Sequence, residues 1–297
     1  MIAPNRIIDL RETQPADHPV TRGEGEGLPS VQRALDPHAI ALITNVNNEM
    51  QYGFCLQYLD TLQIPPGFTV ERIAVLGATS MAAGYQRAME ASRARYKIYV
   101  HQDTYVAHRG LLSELLYLFK TYPRLGMLGV IGTTQLPASG LWWVNNARRS
   151  YGRVWVYVTL APLLRGIPLS PSAYRRRLRP MQFRSFVGDY LPAVAVDGLF
   201  MATQYDVPWT NPLGGFMLYD QVQSLEFIKA GFEVGVARQE AVWCLHWGPL
   251  QERSREQRTL YDIELDRRAA EFRQRYREWI GVPAQRLYRV SRNRLDS

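Results

Sequence analysis

The chain has 297 residues, enough for one large or two small domains with a full hydrophobic core, and 46% of them are apolar while 21% are charged. These fractions exclude a disordered, collagenous or coiled-coil protein. Thirty-five basic residues face 27 acidic ones, a net charge of +8, which suits an anionic partner such as a phosphorylated small molecule, a membrane face or nucleic acid. Charge alone does not choose among them.

Only Lys97, Lys120 and Lys229 are lysines, so the positive charge is overwhelmingly arginine, concentrated in Arg175-Arg176-Arg177-x-Arg179 and in the last fifty or so residues. Cys55 and Cys244 each sit in an apolar stretch and build neither a disulfide framework nor a zinc cluster. The N-terminus lacks the apolar core of a signal peptide. The longest apolar run, Val154 to Leu164, is about half a membrane span and contains Pro162. These features predict a cytoplasmic protein, with the inner membrane face as an available peripheral contact.

Residues 1–37, rich in Pro, Gly, Glu and Arg without periodicity, read as a mobile arm. From His38 the pattern becomes regular. Ala39 to Thr44 has buried-strand character and ends in Asn45-Val46-Asn47-Asn48-Glu49; Asn48 then caps a helix expected to present Phe54, Cys55, Tyr58, Leu59 and Leu62 on one face. After the turn Pro65-Pro66-Gly67, a second strand spans Val70 to Leu76, and Thr79 or Ser80 caps a helix with Met81, Gly84, Tyr85, Ala88 and Met89 at helical spacing. A third strand, Tyr96 to Val100, ends in His101-Gln102-Asp103; a leucine-rich helix follows from about Arg109 to Thr121, then a strand from Gly126 to Ile131.

This β-α-β-α-β-α-β order predicts an α/β fold with a mostly parallel central sheet and helices on both faces. Ligands of such sheets bind at the carboxyl ends of the strands, where the three polar clusters lie. Residues 133–193 lose the alternation and read as an irregular excursion capping the strand ends, with Trp142, Trp143 and many arginines. Regularity resumes at Val194 to Met201, in a helix from Tyr219 to Ala230 closed by Gly231, and in strands near Val234 and Val242. Residues 251–297 give a long charged helix and basic tail, with Tyr261, Leu265, Phe272, Tyr276 and Trp279 available to pack on the core.

The ordered set Ile43-Thr44-Asn45-Val46-Asn47-Asn48-Glu49, Gly77-Ala78-Thr79-Ser80-Met81-x-x-Gly84-Tyr85 and Tyr96 to Asp103 resembles a family-2-type glycosyltransferase of GT-A fold. Val196-Asp197-Gly198-Leu199-Phe200-Met201-Ala202, Tyr219-Asp220, Ser224 to Phe227 and Trp243-Cys244-Leu245-His246 continue it. The narrower likeness is to the streptomycin-biosynthesis-protein-like branch, with His-Gln-Asp replacing Asp-x-Asp. The resemblance implies a Rossmann-like nucleotide-diphospho-sugar transferase domain over residues 38–250 and metal-dependent, inverting transfer of a hexosyl-type sugar to a hydroxyl. A UDP-sugar is the leading donor, and the acceptor a glycan, lipid-linked or small molecule of bacterial glycan or secondary-metabolite biosynthesis.

The leaving diphosphate needs positive charge, and the resemblance places Mn²⁺ or Mg²⁺ on Asp103 with His246. It makes Asp220 the base that deprotonates the acceptor. Asn45, Asn47, Glu49, Ser80, Tyr85 and Gln102 are the expected nucleotide contacts, and His101, Asp197, Gly198, Trp142 and Trp143 those of donor sugar or acceptor. The sequence departs from the family pattern at Gly77-Ala78, where many members carry an Asp, and around Met217 and Trp247. Those departures motivate a rival reading, a nucleotide-sugar-binding protein without catalysis. A basic nucleic-acid-binding module ranks lower, so no nucleic acid is expected, and self-association through the leucine-rich or terminal helix is left open.

Overall fold

The computed structural model describes residues 2–11, 34–144, 147–158, 177–210, 212–248 and 255–288. The Gly-Glu repeat at 23–27, Asn145-Asn146, Arg175-Arg176, Pro162 and the final tail lie outside them. The chain order is β1 (Ile2–Asp9), β2 (Asp36–Val46), α1 (Glu49–Leu59), β3 (Thr69–Leu76), α2 (Met81–Ala91), β4 (Ala94–Val100), β5 (Thr104–Val106), α3 (Leu111–Thr121), β6 (Leu125–Gly129) and β7 (Ile131–Thr133). It continues with β8 (Ser150–Val158), β9 (Arg177–Gln182), β10 (Tyr190–Ala193), β11 (Ala195–Val196), β12 (Phe200–Thr203), α4 (Tyr219–Lys229), β13 (Glu233–Ala237), β14 (Cys244–His246) and α5 (Arg255–Arg275).

Eight strands form the main sheet in the order β1-β3-β2-β4-β12-β6-β13-β10. The pairs β1·β3, β3·β2, β2·β4 and β6·β13 are parallel, while β12 and β10 pair antiparallel with their neighbours. This is the expected α/β arrangement, a largely parallel sheet flanked by helices. Ile40, Ala41, Leu42 and Ile43 are all buried, as befits a central strand covered on both faces. The helix starts follow their caps: Asn48 accepts a hydrogen bond from the Gln51 amide (3.0 Å) and Ser80 from the Ala83 amide (3.0 Å).

Two expectations are corrected here. Residues 2–9 are not part of a mobile arm: β1 adds a parallel edge strand to β3, its place set by tertiary pairing that local composition does not reveal. The excursion at 133–193 is regular in part, because β8 pairs antiparallel with β7 and β9 and parallel with β14 in a second, smaller sheet. Within α1 the buried face is Gln51, Tyr52, Cys55 and Leu59, whereas Phe54 is 43% exposed. The terminal helix α5 does join the core, through Ala269 and Phe272, with Tyr276 just beyond it. No helix among the described residues is long and apolar enough to cross a membrane.

Lys97, at the middle of β4, is completely buried and donates to Asp206 Oδ1 at 2.6 Å and to the Ala94 carbonyl at 2.6 Å. Removing one partner of such a pair strands the other charge in a low dielectric. Asp206→Ala is therefore expected to lower unfolding free energy by about 3 kcal/mol in urea titrations; a change well below 1 kcal/mol would contradict the account.

Candidate active site

The carboxyl ends of β1, β3, β2 and β4 open onto a cleft of about 410 Å³ lined by Arg11, Asn45, Asn47, Glu49, Gly77, His101, Gln102 and Asp103 among others. One end of it is built by strand register. Asp103 immediately precedes β5, and β14 pairs antiparallel with β5 so that His246 lies opposite Thr104; the Trp247 amide then donates to the Asp103 carbonyl at 2.8 Å. His246 thereby reaches Asp103 from far along the chain, with Nε2 3.4 Å from Oδ2, and His101 Nδ1 lies 3.8 Å from Asp103 Oδ1. One ligand atom from each of His101, Asp103 and His246 falls within 4.8 Å of the others. Two imidazoles and one carboxylate form a donor set suited to a divalent cation.

The electrostatics of the trio follow from this packing. Burial pushes Asp103 up, but the hydrogen bond and charge of His246, with His101, outweigh it and hold the carboxyl below its usual range. Burial lowers His246, yet the Asp103 carboxylate brings it above the usual imidazole value. His101 is lowered, chiefly by burial.

Tyr219 sits behind His101, its hydroxyl hydrogen-bonded to His101 Nε2. An aromatic cluster supports it, since Tyr85 stands 6.0 Å from Tyr219 and 4.9 Å from both Tyr99 and Trp209 between ring centroids. Gly198 is obligatory beside it, because a Cβ there would overlap the Tyr219 hydroxyl. Gly198→Ala is therefore expected to displace Tyr219 from His101 and to weaken Mn²⁺ binding about 10–100-fold, as changes behind a metal ligand do. Unchanged Mn²⁺ affinity by calorimetry, in a folded variant, would refute this.

Asp220 lies in the first turn of α4, buried, and accepts from the Gly198 amide at 3.1 Å. Burial, then the Asp197 carboxylate, pushes it up to about 7. The preceding Leu218 adopts a left-handed φ of 59°, an uncommon conformation for a branched residue that turns the chain into α4 just before Tyr219 and Asp220. Asp197 accepts from the Leu199 amide at 2.8 Å and so also shapes its own turn.

The remaining expected site residues divide. Asn47, Glu49 and Gln102 line the cleft, and Gln102 Oε1 holds the loop by accepting from the Asn47 and Asn48 amides, both at 2.9 Å. Asn45 lines it too, while its amide donates to the Met81 carbonyl at 2.9 Å and ties β2 to α2. Ser80 and Tyr85 are buried, one capping α2 and the other inside the aromatic cluster. Trp142 is 1% exposed and offers no face to an acceptor, whereas its neighbour Trp143 is 42% exposed. Sequence reasoning missed Tyr219 as the partner of His101, although it adjoins Asp220, and missed Arg11 and Phe216 in the cleft wall.

Residues 41–262 match the model of a family described as glycosyltransferase-like. Similar solved structures include residues 1–349 of TarS from S. aureus, with TM-score 0.42 and 11% identity over 71% of this chain and 61% of that one. The same protein in complex with UDP-GlcNAc gives TM-score 0.42 and 11% identity over 72% and 59%. The mannosyltransferase PcManGT from Pyrobaculum calidifontis, in complex with GDP-Man and Mn²⁺, gives 0.40 and 10% over 86% and 80%. The chain thus spans about three fifths of the TarS fragment. No curated protein sequence matches significantly.

Proposed function

The chain belongs to the glycosyltransferase-like family, and from that premise we propose that it moves a sugar from a nucleoside diphosphate to a hydroxyl acceptor, inverting the anomeric centre in one displacement. The observation that carries this reading is the convergence of His246 on His101 and Asp103, which line the strand-end cleft. These three residues would hold Mn²⁺ or Mg²⁺, which when bound neutralises charge developing on the leaving diphosphate. The two imidazoles favour Mn²⁺ over Mg²⁺.

Asp220 is the general base. Its burial raises its proton affinity to a value near neutrality, where a carboxylate both exists in quantity and takes a proton effectively. The Gly198 amide, in the turn that Asp197 shapes, donates to that carboxylate and holds it in place. Asn47, Glu49 and Gln102 present hydrogen-bonding groups to the nucleoside, and Trp143 offers an aromatic face for an acceptor. Residues 38–250 carry this catalytic unit, with a UDP-sugar as the donor to assay first. Incubating the protein with Mn²⁺ and a panel of nucleotide-sugars should release nucleoside diphosphate. Nucleotide binding with no turnover of any donor would instead favour the non-catalytic binding protein.

A further inference from the structure

The end of the cleft opposite the metal-suited trio is made by a segment the family match does not include. The Leu10 amide donates to the Leu76 carbonyl at 2.9 Å, so the chain leaving β1 passes directly over Gly77, whose missing side chain makes room for the backbone and Cγ of Arg11. Arg11 lines the cleft, and its guanidinium is ion-paired with the Asp9 carboxylate. Among the described lining residues it is the one Arg or Lys.

Strand order sets the scale. Arg11 lies over the end of β3, and from β3 through β2 to β4 are two steps of about 4.8 Å each, so Arg11 stands roughly 10 Å across the strand ends from the end of β4. That span is of the order of the reach from a bound diphosphate to its nucleobase. With the diphosphate at His101, Asp103 and His246, Asn45 and Asn47 at the end of β2 fall beneath the middle of the ligand, and the base falls at Arg11.

We propose that Arg11 reads the donor's nucleobase and selects one with a carbonyl, not an amino group, at pyrimidine C4 or purine C6. The proposal rests on the reading of the cleft as a nucleoside-diphosphate site. A guanidinium only donates hydrogen bonds. Uracil and guanine present an acceptor oxygen at that position, whereas cytosine and adenine present an NH₂ donor that a guanidinium cannot satisfy.

The test is calorimetric titration of UDP, CDP, GDP and ADP into the full chain with Mn²⁺ and with chelator, for wild type, Arg11→Ala and Arg11→Gln. Arg11 is more than half exposed, so both variants should keep the fold. Wild type is expected to bind UDP over CDP, or GDP over ADP, by about tenfold. In Arg11→Ala that ratio should fall to about one with metal dependence retained, and Arg11→Gln, which can donate and accept, should also lose it. A ratio unchanged in Arg11→Ala overturns the proposal, as does equal weakening of all four nucleotides, which would place Arg11 on phosphate. If no nucleotide binds wild type with Mn²⁺, the donor reading itself fails and takes the proposal with it.

Discussion

Asp103→Ala should abolish metal-dependent nucleotide binding. The carboxylate is the hub of the trio: His246 lies 3.4 Å from one of its oxygens and His101 3.8 Å from the other. Without it two imidazoles remain, and a hard divalent cation loses its one anionic ligand. Changes one shell further out commonly weaken metal binding about 10–100-fold, so loss of the carboxylate should exceed about 100-fold. Titration of UDP and GDP with Mn²⁺ and with chelator reads this directly. If the variant keeps metal-dependent affinity equal to wild type, the cation is held elsewhere and the site must be redrawn.

Asp220→Asn should give an inactive but more stable protein. As a general base the carboxylate is expected to contribute about 10²–10⁴ in kcat, and the amide cannot take the acceptor's proton. In wild type the acidic limb of kcat should therefore follow ionisation of this group, moved below about 7 by the charge of the bound cation. Stability moves the opposite way. A carboxyl at 3.8 in the unfolded chain and about 7 in the folded one keeps more protons when folded, so stability falls as pH rises between those values and the penalty is complete above them. Relief of that penalty by Asn should stabilise the chelated protein at pH 8 on the order of 4 kcal/mol, and little at pH 4. Urea unfolding at the two pH values decides the matter. Equal effects at both would remove the buried charge from the explanation, and retained turnover would remove Asp220 from the chemistry.

What the sequence disclosed was whatever local pattern encodes. The buried run Ile40–Ile43, the capping Asn48 and Ser80, and the polar clusters that close β2, β3 and β4 each announce themselves within a few residues, so the α/β core and the location of its cleft could be read directly. Asp103 and His246 were singled out through family resemblance, since nothing local to either residue says that β14 pairs with β5. Tyr85 and Trp142 misled for a physical reason: an aromatic side chain beside a polar cluster serves equally in a core or on a ligand, and here both are interior. Strand β1 was illegible because its identity comes from β3, and with it went Arg11.

The pairing of β14 with β5 also makes the cluster a reporter on chain topology. Asp103 and His246 come from the middle of the chain and from near the end of the proposed catalytic unit, and they meet only when β14 has paired with β5 inside the small sheet. A cation bound there would tie two distant stretches of sequence together and favour the folded, paired state by mass action, by about 2.7 kcal/mol at a hundred times its dissociation constant. On the proposed function, metal availability would then govern the lifetime of the folded molecule as well as its turnover, and chelation should be felt first as a loss of resistance to proteolysis around His246.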